Sequence, residues 1–319
     1  MIPGYTTGAL LFYSPSLYIY TYFILYNRYM ILKSILPFIA VLLFLLALLF
    51  RNRFFSERKR AQKEPDGFPP RSTLGNIAGA SGWLCIAGYC YFEAAGYFTQ
   101  EEYFDGALAL LFLAFALLFA LLMARVSEQR EADLLFTITK VALITAVFYF
   151  PFAEISLLGD YLIFITAKIT TVTLNLFRGG VFMEPPASIY TTNSSFHVDN
   201  NPVEIILACT AIQSMVLFTG LIFAVNAPVR SKLKAFIVSV PVIYGLNIAR
   251  NVLVAAAYFG SWFGAPLESF EFAHGVLARI GAMIALIVIA YAVFVILPET
   301  LDLVAEFFQF ITSTIRRAK

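Results

Sequence analysis

Charge, histidine and cysteine are the scarce materials of this chain. Only 13% of its 319 residues are Asp, Glu, Lys or Arg, there are two histidines and three cysteines, and the formal net charge is +2. Two histidines without close His/Cys/Asp spacing inside the apolar blocks suggest no metal site, and no cofactor is expected. Three cysteines do not make a disulfide framework. Cys85 and Cys90 fall inside one apolar block, where a small packing residue is the better reading. The basic residues gather in short loops between apolar blocks instead of along one soluble face, so nucleic acid is not an expected partner. Internal self-similarity is also missing, and with it the repeat architecture common among transporters.

What fills the chain instead is apolar. It is 60% hydrophobic, with 33 Phe and 17 Tyr, and the apolar residues fall into blocks about as long as a bilayer-spanning helix. The expectation is an all-α polytopic membrane protein of about seven or eight transmembrane helices, with a small extracytoplasmic lobe and an interfacial amphipathic helix.

Residues 1–29 hold a weaker apolar segment, 8–27, interrupted by Pro15. Region 30–74 contains a strong span at 31–50 and then a basic linker, Arg51 to Arg71, which the positive-inside rule assigns to the cytoplasm. Region 75–154 supplies three spans: 75–98, 106–124 and 134–153. Region 155–202 begins with a stretch carrying Asp160, Lys168 and several Thr, with a polar side. Laid on the outer face, it leaves segment 178–202 outside and the loop Arg230-Ser-Lys232-Leu-Lys234 inside, as charge bias requires. Segment 178–202 then forms the lobe, a small strand pair or irregular cap, with Asn193-Ser194-Ser195 as a glycosylation-type triplet. Region 203–300 adds spans 203–226, 236–260 and 272–297, and 301–319 is a cytoplasmic amphipathic tail.

The candidate chemistry lies in the last three spans. Asn201 as N-cap, Pro202 at the first helical position and Glu204 as capping-box acid predict a helix start. Cys209 would then lie two turns inside, roughly 12 Å below the mouth. Arg250 stands ten residues before Gly260, its backbone roughly 15 Å deep. A charge there calls for a functional reading, and Asn247 on the same face is placed to orient it. His274 lies near the outer end of the last span if that helix begins around Pro266, and Glu271 one turn earlier is placed to fix its tautomer. His197, beside Asp199 in the lobe, is a competing base. A thiol, a guanidinium and an imidazole together suit cysteine acyl transfer: attack by the thiolate, stabilisation of the oxyanion, and proton transfer to the leaving amine.

The motifs Ala208-Cys209-Thr210-Ala211-Ile212-Gln213, Asn247-Ile-Ala-Arg250-Asn251 and Ala273-His274-Gly275, in that order after an outside loop, resemble the exosortase and archaeosortase family. The likeness covers roughly residues 75–300. It implies Cys209 as nucleophile, Arg250 as thiolate or oxyanion stabiliser, and His274 as acid/base with Arg279 in reserve, Thr210 standing where many relatives have Ser. On one ideal helix, residues 274 and 279 are about 140° apart and cannot face the same pocket. The resemblance further implies a plasma-membrane transpeptidase with an outward-facing site. Its partners would be membrane-tethered substrates ending in a motif, a transmembrane helix and a basic tail, and a lipid acceptor.

Two other classes are expected to behave differently. A transporter would line a pathway with Arg250, His274, Glu93, Lys140 and Gln213, and a scaffold protein would tolerate Cys209→Ala.

Overall fold

In hydrocarbon a backbone must satisfy its own hydrogen bonds, so apolar blocks of this length can only close on themselves as helices. The computed structural model describes residues 31–51, 73–126, 129–192 and 201–317. The apolar segment 8–27, the linker 52–72, the triplet at 193–195, His197 and Asp199 lie outside them. In chain order the helices are α1 (Ile31–Arg51), α2 (Thr73–Thr99), α3 (Tyr103–Arg125), α4 (Gln129–Glu154) and α5 (Ser156–Arg178). After the strands come α6 (Ile212–Ala224), α7 (Val229–Gly260), α8 (Pro266–Phe272), α9 (Ala278–Ile296) and α10 (Pro298–Arg317).

Among the described residues, six helical stretches are long and apolar enough to cross a membrane. They are α1, α3, α4, α5, α7 and the run from α8 through α9. Beside them, α2 is long but less uniformly apolar, and α6 is apolar but has only 13 residues. All of them together make eight, and setting α5 on the membrane surface leaves seven. The basic stretch Arg230–Lys234, expected as a loop, is instead the opening of α7, because the turn is completed earlier by Val225 to Pro228.

One core joins α1 to α4 with α10. Phe44, Trp83, Phe119, Met123, Leu135 and Phe136 are buried in it. Trp83 stacks on Phe119 with centroids 4.7 Å apart and donates its indole N–H to Thr139 Oγ1 at 3.1 Å, so its one polar atom is satisfied in an apolar setting. Gly82 lets α1 lie close on α2, since a Cβ there would stand 2.6 Å from the Phe44 ring. The amphipathic α10 folds back onto this core, burying Phe310 and stacking Phe307 over Phe119.

The remaining helices frame the lobe. Strands β1 (Val181–Glu184), β2 (Ser188–Thr191) and β3 (Val203–Glu204) form an antiparallel sheet in the order β1-β2-β3, one strand more than the expected pair. The left-handed Gly179 and Gly180 turn the chain from α5 into β1, and the Asn175 side chain binds both the N–H and the C=O of Val181. Ile189, at the centre of the sheet, is buried with Ala167 and Leu174 of α5 and Ala255, Tyr258 and Phe259 of α7. Tyr258 also donates its hydroxyl to Asn201 O at 3.2 Å. The lobe is therefore fixed to α5 and α7 at one end of the bundle.

Candidate functional site

The expected helix start at Asn201 is not formed. Val203 and Ile205 are buried while Glu204 and Ile206 are exposed, an alternation with the period of a strand. Val203 pairs with Ile189, and Ile205 N–H donates to Ala187 O at 3.2 Å. Tertiary pairing in the sheet thus overrides locally good capping signals. The chain then makes a tight 3-10 turn, Leu207–Thr210, passes through Ala211 in the left-handed region (φ 57°), and enters α6 at Ile212. Cys209 accordingly sits in the turn that precedes the helix, not two turns inside it.

Several bonds hold that turn. Asn247 Nδ2 and Asn251 Nδ2, one turn apart on α7, both donate to the Cys209 carbonyl oxygen, at 2.6 and 2.9 Å. Asn247 is therefore occupied with the cysteine backbone, where the sequence suggested it would orient Arg250. The buried Thr210 hydroxyl donates to Leu207 O at 2.7 Å, so it serves the turn. The half-buried Cys209 side chain packs against the α5–α7–lobe core. At its other end, the short α6 is closed by Lys140 Nζ, which donates to Ala224 O at 2.9 Å, a cation satisfying the last carbonyls of a helix.

Between α6, α7 and α9 lies a cavity of about 410 Å³. Ala208 and Ala211, the residues flanking the Cys209-Thr210 pair, line it with Gln213, Ser214, Asn247, Arg250 and Arg279. Cys209 itself is not among the lining residues. Among the described residues, neither Arg250 nor Arg279 makes a salt bridge. Arg279 lies over the Phe104 ring at 5.1 Å, a cation–π contact. His274 stacks face to face on Phe270, with centroids 5.2 Å apart and planes 5° apart. Glu271 is exposed, and among the described residues no hydrogen bond joins it to His274.

The backbone between His274 and Arg279 departs from the ideal helix. Ala273–Leu277 is a π turn, with Ala278 N–H donating to Ala273 O. Arg279 lines the cavity and His274 does not, so the two do not share that pocket. Nothing in the sequence announces this π turn. The sequence did hold the asparagine clamp, since Asn247 and Asn251 stand four apart in an apolar span, the spacing of one helix face.

The residues a transport pathway would need are dispersed. Glu93 pairs with Lys33 at 2.9 Å, Lys140 caps α6, and Gln213 donates to the Tyr149 hydroxyl at 3.4 Å. No one cavity among the described residues collects them.

A transmembrane exosortase sequence profile matches residues 27–291. The chain belongs to that family. Archaeosortase A of Natronomonas pharaonis is 32% identical over 196 residues, which is 54% of this chain and 62% of that protein. Archaeosortase A of Haloferax volcanii is 31% identical over 124 residues, covering 34% of this chain and 41% of that one. In both cases the match spans less than two thirds of the relative's length. No solved structure matches. With its family and its apolar helices, this exosortase is a multi-pass membrane protein.

Proposed function

We propose that this exosortase is a cysteine transpeptidase of the archaeosortase type, acting in the plasma membrane with its lobe end on the extracytoplasmic side. Its substrates would be secreted surface proteins ending in a short motif, a transmembrane helix and a basic tail. The observation that carries this reading is the turn holding Cys209. Two asparagines fix its carbonyl, a left-handed Ala211 follows it, and two guanidiniums without carboxylate partners among the described residues lie in the adjoining cavity. Strained backbone and unpaired charge are features that folding alone does not favour.

In the proposed reaction the Cys209 thiolate attacks the scissile carbonyl. The C–S bond forms, the C–N bond breaks, and the leaving amine takes up a proton from the His274 imidazolium. Arg250 supports the oxyanion of the tetrahedral intermediate. His274 keeps the proton role because an arginine at position 279 does not give up its proton, so Arg279 contributes charge alone. An acceptor hydroxyl or amine, expected to be a lipid's, then attacks the thioester carbonyl and returns a proton to the thiolate. Since substrate and enzyme share a bilayer, their encounter is confined to two dimensions, which raises effective concentration.

The deciding experiment compares wild type, Cys209→Ala and Cys209→Ser on a reporter carrying such a C-terminal signal, in membranes. Loss of processing by about a thousandfold or more in both variants, with normal insertion, is the expected result. Undiminished processing by Cys209→Ala would end the transpeptidase reading.

A further inference from the structure

The sheet of the lobe treats its two outer strands differently. In an antiparallel sheet alternate residues direct their N–H and C=O to one neighbour, and the residues between direct theirs to the other side. On β1, Gly180 O accepts from Thr192 N–H, so Val181 turns its own groups outward, and the Asn175 side chain takes both of them. On β3, Val203 pairs with Ile189 and Ile205 N–H donates to Ala187 O, so these two residues face β2. Glu204 therefore directs its N–H and C=O away from the sheet, and Ile206 its N–H. No described residue takes these three groups. Pro202 suits the same edge, because its missing N–H falls on the outward side.

This open edge leads directly to the cysteine. Ile206 O accepts from Cys209 N–H at 2.9 Å, so the 3-10 turn begins where the strand stops. Glu204, Ile206 and Ala208 are all exposed along the way, and Ala208 lines the cavity beside the turn. The direction of travel is fixed by α7. Asn201 O is bound by Tyr258, near the outer end of that helix, and Cys209 O by Asn247 and Asn251, lower down. Between them the chain descends from the lobe toward the bundle.

Unpaired strand edges are templates for another strand, and proteins ordinarily cover or blunt them. Two outward N–H groups and one outward C=O suit a short extended peptide, held by its main chain. Laid about 4.8 Å from Glu204 and Ile206, such a peptide has its following residues alongside Cys209. A secreted protein whose anchoring helix follows the scissile bond enters the membrane in the sense in which β3 descends, so the two strands run parallel.

We propose that the substrate segment just before the scissile bond adds to the lobe sheet as a further strand, parallel to β3. Its carbonyls accept from Glu204 N–H and Ile206 N–H, and one of its N–H groups donates to Glu204 C=O. That the bound peptide is then cut rests on the transpeptidase reading, and the pairing itself does not. Recognition at these positions is of backbone, and it hands the scissile carbonyl to the turn that carries Cys209.

The test uses the full chain in detergent and the reporter's own C-terminal segment made synthetically, with one backbone N-methyl group at successive positions before the cut. One position is expected to lose about tenfold in kcat/KM, through KM, while N-methylation on either side of it costs less than about twofold. Glu204→Pro removes the outward N–H and spares the bonds to β2, and it should raise KM about tenfold. The peptide series needs no change in the enzyme, so it decides even if that variant unfolds. A flat N-methyl profile, or a folded Glu204→Pro enzyme with wild-type KM, overturns the proposal. Conversion of a dimer into monomers by Glu204→Pro gives the edge to a second copy of this chain and overturns it also. Binding of the same peptides to Cys209→Ala protein, followed by fluorescence anisotropy, should show the same sensitive position. That pattern without processing by wild type would sink the transpeptidase reading alone, and processing with a flat pattern would sink the pairing alone.

Discussion

The two halves of this exosortase treat charge in opposite ways. In the half built from α1 to α4 and α10, three charged pairs form, Lys33 with Glu93, Arg51 with Asp133 and Arg130 with Glu306, while Lys140 of α4 is spent on a backbone carbonyl. Large aromatic residues fill the core around them, and Arg51 also lies over the Phe136 ring at 4.6 Å. In the half built from α5 to α9, Arg250 and Arg279 stand without a carboxylate among the described residues. There Arg279 lies over the Phe104 ring, amides and aliphatic side chains line the cavity, and the backbone departs from α-helix at the 3-10 turn, at Ala211 and at the π turn. The difference separates charge that holds helices together from charge kept open for a ligand. A paired ion in an apolar setting is balanced within the fold, whereas an unpaired one is costly until something anionic arrives.

Arg250 gives the sharpest way to break that comparison. Arg250→Gln is expected to lower kcat for reporter processing about a hundredfold, the usual loss when one stabiliser of a developing oxyanion is removed. The melting temperature in detergent should not fall, because no ion pair is broken. A drop in melting temperature with unchanged kcat would place Arg250 among the structural charges of the other half. Glu93→Gln tests the same contrast from the opposite side. Both partners of the Lys33–Glu93 pair are 23% exposed, so the loss should lie between surface and fully buried values, about 2 kcal/mol. Here thermal unfolding shifts while the folded enzyme keeps its kcat.

Asn251 belongs to the functional half but acts through backbone, and its expected effect is smaller. Asn251→Ala leaves the Cys209 carbonyl with Asn247 alone. We expect kcat to fall about tenfold with KM unchanged, together with a loss of about 1 kcal/mol for one hydrogen bond. Retaining the amide in Asn251→Gln should restore part of kcat if the clamp positions the turn. A merely steric role would give the same defect in both variants.

The contrast between the halves was only partly legible in the sequence. Long apolar blocks specify helices because hydrocarbon admits little else, so α1 to α4, α7 and the long final span followed from composition. The rarity of Arg250 was visible for the same reason: in an apolar chain each charge is conspicuous. What stayed hidden depended on partners distant in sequence. Asn201, Pro202 and Glu204 carry good helix-start signals, yet the nearby Val203 is claimed by Ile189 of another strand. No residue in Ala273-His274-Gly275-Val276-Leu277 announces the π turn, and which of positions 274 and 279 lines the cavity was likewise not written in the sequence. The asparagine clamp lay between these cases: its i, i+4 spacing was visible, but its target, a carbonyl 42 residues earlier, was not.

The smallest effect is expected where a pair is formed but not enclosed. Arg130 and Glu306 join α4 to α10 at 3.2 Å, with their side chains 81% and 46% exposed. Water and salt screen such a pair, and ordering two long side chains offsets most of its attraction. Arg130→Gln should therefore change stability by less than about 0.5 kcal/mol, a difference that shrinks further as salt is raised. The docking of α10 onto the bundle should survive, because Phe310 is buried and Phe307 stacks on Phe119 whether or not the ion pair forms. Proteolysis at the end of α10 checks this directly. Cleavage accelerated by Arg130→Gln but not by Phe310→Ala would mean that charge, not apolar burial, holds the last helix in place, and would overturn the expectation that an exposed pair contributes little.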